Sequence, residues 1–315
     1  MPAYYATAPG KIILFGEHAV VYGRPAIAVP VLQVKAKATV SFDPRSASGR
    51  VILRAPDIGL ESSLSDLPEN HPLAVVLLKA VSAMNLSHIP ACTIQIMSDI
   101  PIAGGMGSGA AVSVAILRAF SASLGHPLSD EQVSKLAYEV EVIHHGTPSG
   151  IDNSVITYAK PVYFEKGRMI EILQVKHPFT LVIGDTGIPS PTVNVVSDVH
   201  NAWEKAGEKY EDLFDAVGAI AASAREAIEA GLIDTLGSLM NENHALLCKM
   251  SVSSPELDGL VECARSAGAL GAKLSGAGRG GNMIALVTHE YSDEIVRALV
   301  NAGATRTIVT EIRAV

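Results

Sequence analysis

Residues 101–120 read PIAGGMGSGAAVSVAILRAF, with glycines at 104, 105, 107 and 109 directly ahead of an apolar helical run. Glycine lets a backbone approach a ligand closely. A helix starting near Ser108 turns its unsatisfied N–H groups and the positive end of its dipole toward such a loop. The combination suits a polyphosphate, cradled by Gly104, Gly105, Gly107, Ser108 and Gly109. It is not a Walker A loop, which would need Lys-Ser/Thr where Gly109-Ala110 stand. Taken alone, the stretch fits equally well a tight strand-to-helix connection in which Ser108 merely caps the helix.

Around this loop the chain alternates two kinds of pattern. Upstream, β-branched runs at 12–15, 26–31, 31–42 and 50–55 are separated by turn signals, and VKAKATVSF alternates as a long antiparallel strand with one wet face. A helix over 72–86 begins with a proline in its first turn, and 92–101 returns to strand. Downstream come helices over 108–124 and 130–146, the second opened by Ser129 with Gln132 three residues on. The segment SGIDNSVITY is helical, and a hairpin follows over VYFEKGRMIEIL with its turn at Lys166-Gly167. From the strand 180–186 onward the pattern is mainly helical, over 192–206, 208–230, 232–250 and 255–267. Strand-like KLSG and NMIALVT, a helix at 292–301 and RTIVTEI close the chain. This order of elements implies an α+β protein of two domains, 1–180 and 181–315, packed with a cleft between them.

At 315 residues with 48% hydrophobic and 18% charged positions, the chain is long enough to bury a substantial core. Its net charge of −8, with no block of Lys or Arg, argues against nucleic acid and anionic membranes as partners. No signal peptide and no run of membrane-spanning length is read, so the expected location is the cytoplasm. The cysteines, Cys92, Cys248 and Cys263, lack any C-x-x-C pair and read as small buried hydrophobes in a reducing compartment.

Two further stretches carry chemistry. In APGKIILFGEHAVVYG (8–23), Lys11, Glu17 and His18 interrupt an apolar, β-prone run. Burying such groups unpaired costs roughly 2–7 kcal/mol each. Each alone reads as a surface lysine or a satisfied core histidine; the cluster is harder to dismiss. In EVEVIHHGTPSGIDNSV (139–155), Glu139, Glu141, His144, His145 and Asp152 share one helix and its following turn. Glu141-x-x-His144 is half of a di-metal carboxylate pattern whose second half is missing. Asp152 either projects into a cleft from the Pro148-Ser149-Gly150 turn or serves as a helix N-cap, the commoner role for an isolated Asp. KLSGAGRGGNM (273–283) is another glycine-rich turn, of low specificity by itself.

In this order the stretches resemble the GHMP family of small-molecule kinases over nearly the whole chain. PGKIILFGEHAVVYG is similar to the first motif of the mevalonate kinase branch; galactokinases differ after Gly-Glu-His, and homoserine kinases lack it. PIAGGMGSGAA resembles the second motif, P-x-x-x-G-L-G-S-S-A-A, and KLSGAGRGG the third. The resemblance implies a ribosomal-protein-S5-like N-terminal domain and a ferredoxin-like C-terminal domain. It implies ATP-dependent phosphorylation of mevalonate at C5, in isoprenoid-precursor synthesis, with Mg2+. Asp152 would accept the substrate hydroxyl proton with Lys11 beside it. Glu141 and Ser108 would bind the metal, and Glu17, His18 and Thr192 would lie on the substrate side. Another small alcohol or phosphomevalonate as acceptor, and a non-catalytic ligand sensor, are the alternatives; a homodimer stays open. Two departures stand out: Met106 for the usual Leu, which conserves volume, and Gly109 for a second serine whose hydroxyl commonly binds magnesium in the family. Water can take that place, since Mg2+ keeps several waters of its own.

Overall fold

The computed structural model describes residues 3–101, 104–145, 148–190 and 192–314, and omits the side chains of His144 and His145. Within the quoted motifs, Ile102, Ala103, Gly146, Thr147 and Pro191 therefore lie outside the described residues. The chain forms two compact units, each discontinuous in sequence: Met1–Gly10, Val34–Ile100 and Gly107–Ala159 make the first, and Lys11–Gln33, Pro101–Met106 and Lys160–Val315 the second. Strands β1 (Tyr4–Phe15) and β2 (Ala26–Phe42) each give one half to each unit.

In the first unit, the outer half of β2 pairs antiparallel with β5 (Cys92–Ser98), from Ala36↔Ser98 to Phe42↔Cys92. The alternation read in VKAKATVSF is real: Val34, Ala36, Ala38 and Val40 are buried, while Lys35, Lys37 and Ser41 face solvent. β3 (Val51–Ala55) runs parallel to β5 and antiparallel to the short β4 (Leu60–Ser63). Helix α1 (Pro72–Ala83) supplies the crossover that the parallel pair needs. α2 (Ser108–Ser123), α3 (Asp130–His145) and α4 (Ile151–Tyr158) pack with it around Leu77, Ile94, Ile116, Phe120, Val133 and Val155, all fully buried. The start of α3 is a reciprocal capping box: Gln132 N–H donates to Ser129 Oγ at 3.3 Å, and Ser129 N–H to Gln132 Oε1 at 2.9 Å. Ser129→Ala should cost about 1 kcal/mol in a urea titration.

In the second unit, the inner half of β2 pairs with β6 (Val162–Phe164), which forms the expected hairpin with β7 (Glu171–Ile172) around Gly167. A separate four-stranded antiparallel sheet follows the order β11-β8-β10-β9. Its strands are β8 (Phe179–Asp185), β9 (Gly271–Ser275), β10 (Asn282–Val287) and β11 (Arg306–Ile312). Numbered within this sheet, that order is 4-1-3-2, the ferredoxin-like arrangement, elaborated by four helices between its first two strands. These are α5 (Thr192–Lys205), α6 (Gly207–Ala230), α7 (Ile233–Lys249) and α8 (Pro255–Ser266); α9 (Ser292–Asn301) precedes β11. One core of Phe214, Val217, Leu247, Leu257, Val261, Leu274, Ala285 and Leu299 joins sheet and helices. Among the described residues no helix is long and apolar enough to cross a membrane.

The cysteine reading needs one correction. Cys92 is buried, but Cys263 is only partly buried, and Cys248 is exposed with its thiol beside His244 and Asp258.

Candidate active site

The stretch 11–23 begins inside β1, where Lys11 is 4% exposed and donates its backbone N–H to Met106 O at 3.0 Å. Gly104 O accepts from the Asn282 Nδ2 amide at the start of β10. The loop segment Gly104–Met106 is thus pinned at both carbonyls, by the first motif and by the third, with Met106 buried as its apolar anchor. Gly105 and Gly107 adopt φ values of 74° and 73°, which L side chains rarely take.

At the start of α2 the N-cap is Gly107, and no side chain caps the helix. Ser108 is the first helical residue, so the bland reading of it as a cap does not hold. Its helix keeps first-turn N–H groups uncapped by any side chain. Gly109 faces α3: a Cβ added there would stand 3.4 Å from Glu141 Oε1. The position that lacks the family's second hydroxyl therefore lies against the carboxylate expected to bind metal. Glu141 and Ser108 offer hard oxygen donors of the kind Mg2+ takes. Asp152 is the second residue of α4, partly exposed, behind an N-cap that is Gly150 at φ 90°. It too is not the cap.

Past Glu17 the chain makes a tight turn. His18 has φ 61° and ψ −51°, and Ala19 N–H donates to Glu17 O at 2.7 Å, a γ-turn of the rare positive-φ form. The ring Nε2 of His18 donates to Ala277 O at 2.9 Å, which leaves Nδ1 as the acceptor of the neutral ring. Burial holds this imidazole down to about 4, with the Arg279 cation adding to the effect against the Ala277 bond. Beyond the turn, Tyr22 stacks on Phe214 of α6 at a centroid distance of 4.0 Å, and Arg24 pairs with Glu211 and Asp215 of the same helix.

The third motif is laced to the chain after β8. Thr186 donates its N–H and its hydroxyl to Gly281 O at 2.9 and 3.0 Å, Gly281 N–H donates to Ile188 O at 2.8 Å, and Ser190 Oγ donates to Gly278 O at 2.8 Å. Thr192, exposed, opens α5 just beyond. Of the residues expected from sequence, Lys11, Glu17, His18, Gly104, Gly105 and Thr192 thus belong to the second unit, and Gly107, Ser108, Gly109, Glu141 and Asp152 to the first.

Sequence reading missed Lys273 and Asn282. Lys273 is wholly buried in β9, its ammonium on the Glu17 carboxylate, itself 0% exposed. The signal was available: a lysine inside a run of small and apolar residues needs a partner, by the same reasoning that singled out Lys11.

Away from these motifs, His244, Cys248 and Asp258 bring ring N, thiol S and carboxylate O within 4.8 Å of one another. Two features oppose a metal there. Leu274 N–H donates to His244 Nδ1 at 3.3 Å, so the neutral ring keeps its proton on Nε2, the atom a metal would need. The burial and the Arg265 and Lys273 charges that hold this imidazole down to about 4 also disfavour a cation beside it.

Comparison with known proteins places the chain. Residues 73–160 match the GHMP kinases N terminal domain, and residues 224–305 the GHMP kinases C terminal domain. A mevalonate kinase of Thermococcus sibiricus is 39% identical, over 98% of this chain and 95% of its own. A crystal structure of L. major mevalonate kinase in complex with R-mevalonate superposes with a TM-score of 0.83 at 29% identity, covering 98% of this chain and 96% of the other. That of Methanococcus jannaschii mevalonate kinase gives 0.85 at 26% identity, covering 100% and 99%.

Proposed function

The chain belongs to the GHMP kinases, and from its place among the mevalonate kinases of that family we propose that it transfers the γ-phosphoryl group of ATP to the C5 hydroxyl of mevalonate. The product is 5-phosphomevalonate, an isoprenoid precursor. The observation that carries this reading is the convergence of three distant motifs, with Lys11 and Asn282 both holding the loop Gly104–Met106.

Phosphoryl transfer passes through a loose transition state that needs positioning and charge neutralisation rather than covalent chemistry. Backbone N–H groups of the 104–109 loop and the first turn of α2 bind the polyphosphate and need no lysine within the loop. Asp152 takes the proton of the accepting hydroxyl as the bond to phosphorus forms. The Lys11 ammonium stabilises the charge that builds on that oxygen. His18, neutral and with Nε2–H committed to Ala277, orients the substrate by accepting a hydrogen bond from a substrate hydroxyl at Nδ1, and the Thr192 hydroxyl adds a second contact. Glu17, sealed from solvent, serves the substrate side from behind His18. Glu141 and Ser108 are the residues that would hold Mg2+, whose charge offsets that of the phosphate oxygens.

At position 109 a serine fits, since its Cβ would make ordinary contact with Glu141 and the backbone there is helical. Gly109→Ser should fold normally and bind Mn2+ or Mg2+ no more weakly by calorimetry in the presence of an ATP analogue. A clear loss of metal affinity would mean that Glu141 and the loop do not share a metal.

A panel of acceptors followed by ADP release tests the substrate. Mevalonate should saturate below about 1 mM, and phosphomevalonate and unrelated alcohols should not. Saturation by phosphomevalonate instead would move the reaction one phosphorylation later.

A further inference from the structure

The turn at His18 is strained, and strain of this kind, of order 1–3 kcal/mol, persists only where the surroundings over-determine it. The determinants lie in one strand and the turn after it. Ser275 Oγ donates to Ile13 O at 2.7 Å, which fixes β1 against β9. Ala277 O holds the His18 ring at 2.9 Å. Between these two ties, Lys273 Nζ engages Glu17 Oε1 and its own neighbour Leu274 O, the latter at 2.6 Å.

A buried ion pair is a poor way to gain stability, because well-packed apolar residues of similar volume do as well or better. This pair is also incompletely satisfied. Glu17 Oε2 is buried and makes no hydrogen bond among the described residues. Burial pushes the Glu17 carboxyl up and the Lys273 ammonium down, each partner opposing the other's shift, and the Lys11 charge also favours the Glu17 anion. What the pair supplies is direction: it fixes Glu17, the first residue of the γ-turn, to β9, which leads through Gly276 to the carbonyl that holds His18.

We propose that Lys273 is a positioning residue for His18, holding the strained turn through the Glu17 carboxylate and thereby setting affinity for the alcohol substrate. Its substrate half rests on the function proposed above; the hold on His18 does not.

Lys273→Met alone leaves a carboxylate buried without its cation, and its thermal midpoint should fall by on the order of 10 °C. The informative protein is the double variant Glu17→Leu with Lys273→Met, which replaces the pair by apolar side chains and should melt within a few degrees of the parent. Two readouts separate positioning from packing. In NMR of the ligand-free protein at about pH 6, the parent His18 ring is neutral, whereas in the double variant it should titrate toward the ordinary value of about 6.5. With the kinase assay, mevalonate KM should rise at least about tenfold while ATP KM stays within about twofold.

If the double variant does not fold, Glu17→Gln carries the same test. It keeps the shape and one neutral bond to Lys273, with an expected rise of about threefold in mevalonate KM. A folded variant whose His18 ring stays neutral at about pH 6 overturns the proposal. So does one with the ring released and mevalonate KM unmoved. Release of the ring in a protein whose parent form does not phosphorylate mevalonate at all would sustain the hold on His18 and remove the functional reading instead.

Discussion

Asp152→Asn should lower turnover with mevalonate by about 10²–10⁴-fold, the range typical of a lost acid–base group, while the protein melts within about 1 kcal/mol of the parent. The second half of this expectation comes from how α4 is anchored. Asn153 donates to Ser134 O and Ser134 Oγ at 3.1 and 2.9 Å, Ser154 Oγ donates to Gly150 O at 2.7 Å, and Val155 and Ile156 are fully buried. These neighbours fix the helix, and Gly150 rather than Asp152 caps it. An asparagine keeps the shape of the side chain at this helix N-terminus, so the fold of α4 should survive the exchange. Saturating kinetics together with circular dichroism melts check both halves. Turnover within about tenfold of the parent would remove Asp152 from the role of base. A large drop in stability would return it to a structural one.

Gly271→Ala should cost about 3 kcal/mol or more in a urea titration, among the largest effects of any single methyl group in the chain. Here α7 lies directly on β9, backbone against backbone. A Cβ at Gly271 would overlap Gly237 O, and one at Gly237 would stand 2.5 Å from Leu270 O. Neither neighbour is a flexible side chain that could turn away, so helix and strand must separate. β9 also carries Lys273 and Ser275, so separation should loosen the turn at His18 as well. A loss below about 1 kcal/mol would mean that α7 and β9 part easily and that the close approach is not a constraint.

Much of the fold was legible because it is written in local periods. The alternation over 34–42, the capping box at Ser129 and Gln132, and the helical stripes from 192 to 267 each need only a window of a few residues, and each stands where its pattern put it. Other features escaped for lack of such a window. β1 starts at Tyr4, through a stretch with Pro9 and Gly10 that reads poorly as strand, and β4 spans only Leu60–Ser63. The units are interleaved, since two long strands serve both, and a boundary drawn along the chain cannot express this.

The candidate site divides in the same way. The missing hydroxyl at position 109 was visible in the motif, but only the packing of α2 on α3 brings that position to Glu141. His18 stood out as a polar residue in an apolar run, yet nothing local encodes its positive φ. The Glu17–Lys273 pair joins residues 256 positions apart, a contact that no sequence period can report.

The identity of the transferred group and the oxygen that receives it define the reaction. Incubation of the protein with R-mevalonate, ATP and Mg2+, followed by 31P and 13C NMR of the product, reads both at once. The expected product is a phosphomonoester on the C5 oxygen with stoichiometric ADP; phosphorus on the C3 oxygen, or no phosphorylated mevalonate, would rule the proposed reaction out.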